Sequence, residues 1–169
     1  MKVSVIIPSL NPDNKLVAVV DALLEEGFKD IIIVNDGSDE EHMAPFNEVA
    51  AHSECTILTH EVNKGKGRGL KTAFEFCLEN RKDIDGVVTV DGDNQHRAKD
   101  IKKCSETMVS TGNVVLGVRD FTGDDVPARS KFGNNMTSGV FKVLCRLNIS
   151  DTQTGLRAIP YKLSLIHIS

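Results

Sequence analysis

The chain has 169 residues, 40% of them hydrophobic and 26% charged, which is the balance of one globular domain with a core and excludes disorder, collagen and coiled coil. No apolar run reaches the roughly 18 residues that a membrane span needs, and the opening MKVSVIIP reads as a short strand without the apolar stretch and cleavage site of a secretory signal. A pI near 5.7, with one Tyr and no Trp, excludes a nucleic-acid binder that works through charge and stacking.

The net charge of −4 is unevenly spread. Residues 1–60 carry three Lys/Arg against eleven Asp/Glu, and residues 61–169 carry 17 against 13. The second half is therefore the one suited to an anionic ligand, unless its cations only solvate helix faces. The cysteines Cys55, Cys77, Cys104 and Cys145 lie 22, 27 and 41 positions apart, which gives neither a CxxC pair nor a zinc spacing. They read as small buried hydrophobes in a reducing, cytoplasmic compartment.

In chain order, Val3–Pro8 reads as a strand. Leu16, Val19, Val20, Leu23 and Leu24 then fall at helical spacing, with Gly27 where a C-cap belongs. Ile31-Ile32-Ile33-Val34 is apolar on both faces, as an interior parallel strand should be. A weaker helix is expected over about 41–52, a third strand over Thr56–Thr59, and a helix over about 66–80 with Leu70, Ala73, Phe74 and Cys77 as its apolar stripe. Gly86–Val90 is a fourth strand and runs directly into Asp91-Gly92-Asp93. A helix over about 98–110 ends at Gly112, Val114–Val118 is a fifth strand, and after a polar loop Phe132, Met136, Val140, Val143 and Leu144 mark a further helix. This alternation predicts an α/β fold, a mostly parallel sheet sandwiched by helices.

Ligands in such folds sit at the carboxyl ends of the strands, and the segments there are polar and Gly-rich: Ser9-Leu10-Asn11-Pro12, Asn35-Asp36-Gly37-Ser38-Asp39, Asn63–Gly69, Asp91–His96 and Arg119-Asp120. Two nucleotide motifs fail. GKGRGLKT at 65–72 has Leu70 where a P-loop needs Gly, and the turn after the first strand has no glycine for a dinucleotide fingerprint. The Gly-rich start of the third helix still suits phosphate.

Asp91-Gly92-Asp93 is the sharpest feature. Two carboxylates bracketing a glycine at the end of a buried strand form a compact hard-oxygen site for Mg²⁺ or Mn²⁺, shared with substrate phosphates, and Gln95 adds a neutral oxygen. A plain turn is the competing reading. Asp36 can accept hydrogen bonds from a base or ribose, whereas Ser38 and Asp39 are equally explained by a turn and helix cap. His42, His52, His60 and His167 have no partner legible in the sequence and read as structural or exposed, and His96 as shaping its loop.

VIIPSLN, IIIVNDGSDE, NKGKGRGLKTAF, VVTVDGDNQH, VVLGVR and DTQTGLRAIP, in that order across residues 3–160, together resemble glycosyltransferase family 2. The nearest flavour is its dolichyl- or polyprenyl-phosphate hexosyltransferase branch, with dolichol-phosphate mannosyltransferase. The resemblance implies a GT-A fold and inverting transfer from a UDP- or GDP-hexose to a polyprenyl phosphate, with Mg²⁺ or Mn²⁺, at the cytoplasmic membrane face. It assigns the donor nucleotide to Pro8, Asp36, Asp39, Lys66, Asp91 and Gly92, and the metal to Asp91, Asp93 and Gln95. Arg119, Arg129, Ser130 and Arg157 fall to the acceptor and its phosphate, and Asp151 to the side facing the sugar.

Two departures stand out. Leu10-Asn11-Pro12 replaces the Tyr-Asn-Glu common in the family, which removes an aromatic and an acidic donor contact. The expected catalytic domain covers 1–160 and stops short of its relatives, with 161–169 expected as a non-native tail. In the implied chemistry the leaving diphosphate gathers negative charge beside Asp91 and Asp93. A hydroxyl acceptor needs Asp151 as base, whereas an ionised lipid phosphate needs cations such as Arg119, Arg129, Lys131 and Arg157. The alternatives are transfer to a saccharide hydroxyl of a cell-wall or surface polysaccharide, a sugar-phosphate nucleotidyltransferase, and a sugar-nucleotide-binding module without turnover. The nucleotidyltransferase needs a Gly-rich loop that Ser9–Lys15 lacks.

Overall fold

The computed structural model describes residues 1–117 and 155–164. The strands are β1 (Val3–Ser9), β2 (Ile31–Asn35), β3 (Cys55–Thr59), β4 (Gly86–Thr89), β5 (Val115–Leu116) and β6 (Arg157–Pro160). The helices are α1 (Lys15–Glu25), α2 (Ala44–Val49), α3 (Lys66–Asn80), α4 (Ala98–Thr111) and a last turn, α5 (Tyr161–Ser164). The strands form one sheet in the order β3-β2-β1-β4-β6-β5.

The first four strands are parallel, as their apolar runs predict, with Val5 opposite Ile31 and Ile6 opposite Thr89 in neighbouring ladders. Side chains alternate across the sheet. Val5, Ile7, Ile31, Ile33 and Val88 face one way and pack with Leu16, Val20 and Leu23 of α1, Phe46 and Val49 of α2, and Ile101 and Met108 of α4. Ile6, Ile32, Val34 and Val87 face the other way, against Ala73 and Cys77 of α3. Both faces are covered, so every residue of β2 is buried. Each fully buried Ile or Val contributes about 1.5–3 kcal/mol by leaving water.

Three expectations need correction. The helix over 41–52 is broken into a 3-10 turn, Glu40–His42, and the short α2, because Pro45 sits at the start of α2 and removes a backbone donor. The fifth strand shrinks to Val115–Leu116. It does not reach β4: β6 lies between them, antiparallel to both. β6, following the buried Leu156, shows a short in–out alternation with Ala158 and Pro160 buried and Arg157 exposed, in a segment where the sequence pattern predicts no strand. The helix marked by Phe132–Leu144 and the residues Arg119, Arg129, Ser130, Lys131, Cys145 and Asp151 lie outside the described residues.

The described cysteines are unpaired thiols; Cys77 is buried as expected, whereas Cys55 and Cys104 are only partly so. Burial pushes the Cys55 thiol up to about 11 and the Cys77 thiol up to about 12, so neither is a nucleophile near neutral pH. Among the described residues no helix is long and apolar enough to cross a membrane.

Gly86 opens β4 where the chain has no room for a side chain. A Cβ there would stand 2.5 Å from the Ile159 carbonyl oxygen and 2.5 Å from Met108 Sδ. Gly86→Ala is expected to lower stability by about 1–3 kcal/mol through overpacking, read as a lower urea midpoint at unchanged slope. Gly67→Ala, in open space within α3, should instead raise stability by about 0.5–1 kcal/mol.

Candidate active site

The strand order reverses beside β1: the chain steps outward to β2 on one side and β4 on the other. The connections leaving the carboxyl ends of these strands therefore run to opposite sides, and a crevice opens between them. Pro8 and Ser9 end β1, Asp36 follows β2, Lys66 starts α3 after β3, and Asp91-Gly92-Asp93 follow β4. Pro8, Ser9, Leu10, Asp36, Asn63, Gly65, Lys66, Asp91, Gly92 and Asp93 line one cleft of about 300 Å³. An adjoining space of about 260 Å³ shares Pro8, Lys66 and Asp91 and adds Thr89, Gly155 and Arg157.

A larger cavity, about 480 Å³, lies at the opposite edge of the sheet around Lys2, Phe28, Asp30 and Arg81. Its buried-side carboxylate is already spent: Asp30 accepts from Arg81 Nε at 3.0 and 3.1 Å and from Ser4 Oγ at 2.5 Å. The smaller cleft is lined by Asp36, Asp91 and Asp93 at the strand ends, which makes it the candidate site.

The three acidic residues of the cleft are built differently. Asp36 is 3% exposed. Its Oδ1 lies 2.6 Å from His60 Nδ1 and accepts the Lys64 N–H at 3.0 Å. His60, itself 7% exposed, reaches Thr72 Oγ1 of α3 through Nε2 at 2.9 Å. Burial works to raise the Asp36 pKa. The His60 hydrogen bond and the backbone N–H groups of Lys64 and Gly65 outweigh it, and the carboxyl lies below its ordinary value. Asp91 is half-buried and paired with Lys66 Nζ, whereas Asp93 is exposed and accepts the Gln95 N–H at 3.2 Å.

Two features shape the metal motif from outside it. Thr89 Oγ1 donates to the Gly155 carbonyl at 2.9 Å, which presses the chain before β6 onto the cleft. A Cβ at position 155 would stand 2.0 Å from Asp91 Oδ2, so a side chain there would displace the Asp91 carboxylate. Ser9 Oγ, beside Gly92, is buried without a hydrogen-bond partner among the described residues.

The residues fit a divalent cation of the Mg²⁺ or Mn²⁺ type. Asp91 and Asp93 offer hard oxygens to one cleft, and the Lys66 ammonium on Asp91 marks where positive charge is wanted. Among the described residues no three His, Cys, Asp or Glu side chains converge into a metal cage. That suits a cation held by one or two carboxylates together with substrate phosphates.

Residues 4–165 match the profile of Glycosyl transferase family 2. The chain belongs to that family. This glycosyltransferase-family chain is similar to the UDP-N-acetylglucosamine–dolichyl-phosphate N-acetylglucosaminyltransferase of Methanococcus voltae, 28% identical over 172 residues, covering 90% of this chain and 67% of that protein. In fold it is similar to glucosyl-3-phosphoglycerate synthase of Mycobacterium tuberculosis in complex with Mn²⁺, UDP and glucosyl-3-phosphoglycerate, with TM-score 0.74, 16% identity, and 96% of this chain and 57% of that one covered. It is likewise similar to a mannosyltransferase from Pyrobaculum calidifontis in complex with GDP-Man and Mn²⁺, with TM-score 0.65, 18% identity, and coverage of 96% and 45%. The solved structures establish the α/β, GT-A-like fold. The family-2 chain spans about two thirds or less of the curated relatives' length and about half of the solved chains.

Of the residues expected at the site, Pro8, Asp36, Lys66, Asp91, Gly92, Asp93 and Arg157 come together around the cleft. Asp39 is not among the lining residues. Its Oδ2 accepts from Asn11 Nδ2 at 2.9 Å and its N–H donates to Asn11 Oδ1 at 2.9 Å, which ties the turns after β1 and β2 together. Gln95 is exposed beyond Asp93 and also does not line the cleft. His60 is a correction: it is buried and doubly bonded, because β3 ends beside Asp36 and α3 covers it. His52 also has a partner, Asp21, at 3.6 Å. Ser9, Thr72 and Gly155 were missed as well. Their significance comes from contacts with elements distant in the chain, and neighbouring residues in the sequence carry no trace of it.

The depressed Asp36 value has a defined sign. Its contribution to stability is complete above the unfolded value of about pH 4 and is lost as pH falls through the lower folded-state value. Asp36→Asn should therefore destabilise the chain by about 1–3 kcal/mol at neutral pH. The gap to wild type should close below about pH 4, measured by chemical denaturation across a pH series.

Proposed function

We propose that the chain is the catalytic domain, residues 1–160, of an inverting, metal-dependent hexosyltransferase. It moves a sugar from a nucleotide-diphospho-sugar to a dolichyl or undecaprenyl type polyprenyl phosphate at the cytoplasmic face of a membrane. The observation that carries this reading is Asp91 and Asp93 at the end of β4, in one cleft with Pro8, Asp36 and Lys66.

In this reading Asp36 and Pro8 hold the nucleoside, and Asp39 braces the Leu10–Asn11 turn beside it through Asn11. Gly92 lets the diphosphate approach the backbone closely. Asp91 and Asp93 would hold Mg²⁺ or Mn²⁺, which would supply Lewis-acid stabilisation of the leaving diphosphate, and Gln95, outside the cleft here, would add an oxygen only by turning towards them. Lys66 and Arg157, the cations flanking Asp91, offset the charge of donor and acceptor phosphates. Arg119, Arg129 and Ser130 are assigned to the acceptor phosphate by their sequence motifs. A phosphate acceptor arrives ionised, so positioning by cations replaces proton removal, and Asp151 is needed as a base only for a hydroxyl acceptor. The lipid acceptor is supported by the Methanococcus voltae relative, whose name specifies dolichyl phosphate.

Calorimetric titration with UDP and GDP, with and without Mn²⁺, tests the donor site. One nucleotide should bind, at least about tenfold more weakly without Mn²⁺ or in Asp93→Ala, a loss of about 1.4 kcal/mol. Binding of neither nucleotide, or binding indifferent to both changes, would overturn the site. Transfer of labelled sugar to a polyprenyl phosphate, and not to a saccharide, then tests the acceptor.

A further inference from the structure

The chemistry above uses Asp36 but leaves His60 without a task. His60 is taken out of water at the end of β3, and both ring nitrogens are engaged: Nδ1 with Asp36 at 2.6 Å and Nε2 with Thr72 Oγ1 at 2.9 Å. An ionised carboxylate only accepts, so Nδ1 carries the proton in either charge state of the ring. The chain Thr72–His60–Asp36 thus runs from α3 to the wall of the cleft that Asp36 lines. His60 and the Lys64 N–H both take Oδ1, so a ligand N–H in the cleft would meet Oδ2.

We infer that His60 is a positioning residue for recognition of the donor's base: braced by Thr72, it fixes the Asp36 carboxylate to accept a ring N–H from the nucleobase. The inference rests on the proposed donor-binding role of Asp36. An acceptor-only group held in one orientation favours bases that carry a ring N–H, uracil at N3 or guanine at N1. It disfavours cytosine and adenine, whose corresponding ring nitrogens are themselves acceptors. A rotating carboxylate meets the same base with less directional preference. His60 and Thr72 therefore contribute to base choice although neither touches the base.

The test compares UDP or GDP, whichever binds, with its ring-N-methylated analogue, in Mn²⁺, on wild type, Asp36→Asn, His60→Leu, His60→Asn and Thr72→Val. Methylation should weaken binding to wild type about tenfold, the loss of a charge-assisted hydrogen bond. In His60→Leu this penalty should shrink to about twofold, and in Thr72→Val it should be intermediate. His60→Asn, whose amide N–H can stand where Nδ1–H stood, should restore it. A histidine that merely packs would change the affinity of both nucleotides alike and leave their ratio at the wild-type value, and that result overturns the inference. Should His60→Leu not fold, Thr72→Val, which keeps the imidazole, decides by the same ratio. An unchanged ratio in Asp36→Asn would instead remove Asp36 from the base and defeat the donor-site assignment itself.

Discussion

β1 is hydrogen-bonded along both edges, to β2 and β4, and covered on both faces, by α1 and α3. The rest of the molecule is arranged around that strand. Its neighbours must be parallel to it and apolar on both sides, which is why β2 consists of consecutive large aliphatic residues. The chain runs outward from β1 through β2 to β3 and then crosses back over β1 to reach β4. The gap this creates is where Pro8, Asp36 and Asp91 meet, so the cleft follows from the topology before any polar residue is considered.

Within the gap, burial divides the labour among carboxylates. Asp36 is withdrawn from water and would be costly to keep charged without its three donors. Its ionised state and its direction are fixed together. Asp91 and Asp93 are left accessible, with Lys66 making a half-exposed ion pair of the kind that contributes little to folding. A carboxylate held this loosely can exchange its partner for a metal ion, whereas Asp36 cannot rearrange without unfolding its surroundings.

The parallel core was legible because both-face apolar runs and helical spacing are local patterns, and β1, β2, α1 and α4 emerge close to where they were read. Asp91 and Asp93 were legible for a similar reason: residue type, spacing and a strand just before them all fall in one short segment. β6 was not, because four residues ending in proline carry too little periodicity to distinguish a strand from a loop. With β6 went the reason for Gly155. His60 was unreadable for a different cause. Its identity is explained by Asp36 and Thr72, on other elements, and only the β2–β3 register of Asn35 with Thr59 sets them side by side.

β5 pairs with β6 and with no other strand among the described residues, and β6 is encoded after it. During synthesis the four parallel strands can therefore assemble while β5 still waits for a mate. The glycine that abuts Asp91 arrives with that late segment. The Asp36 end of the cleft belongs to the early-made body, and the wall behind Asp91 is seated only at the closing stage. Long-range pairings of this kind are slow to form. The chain's order of manufacture thus leaves the packing of Gly155 against Asp91 as a property of the finished domain, not of its nascent precursor.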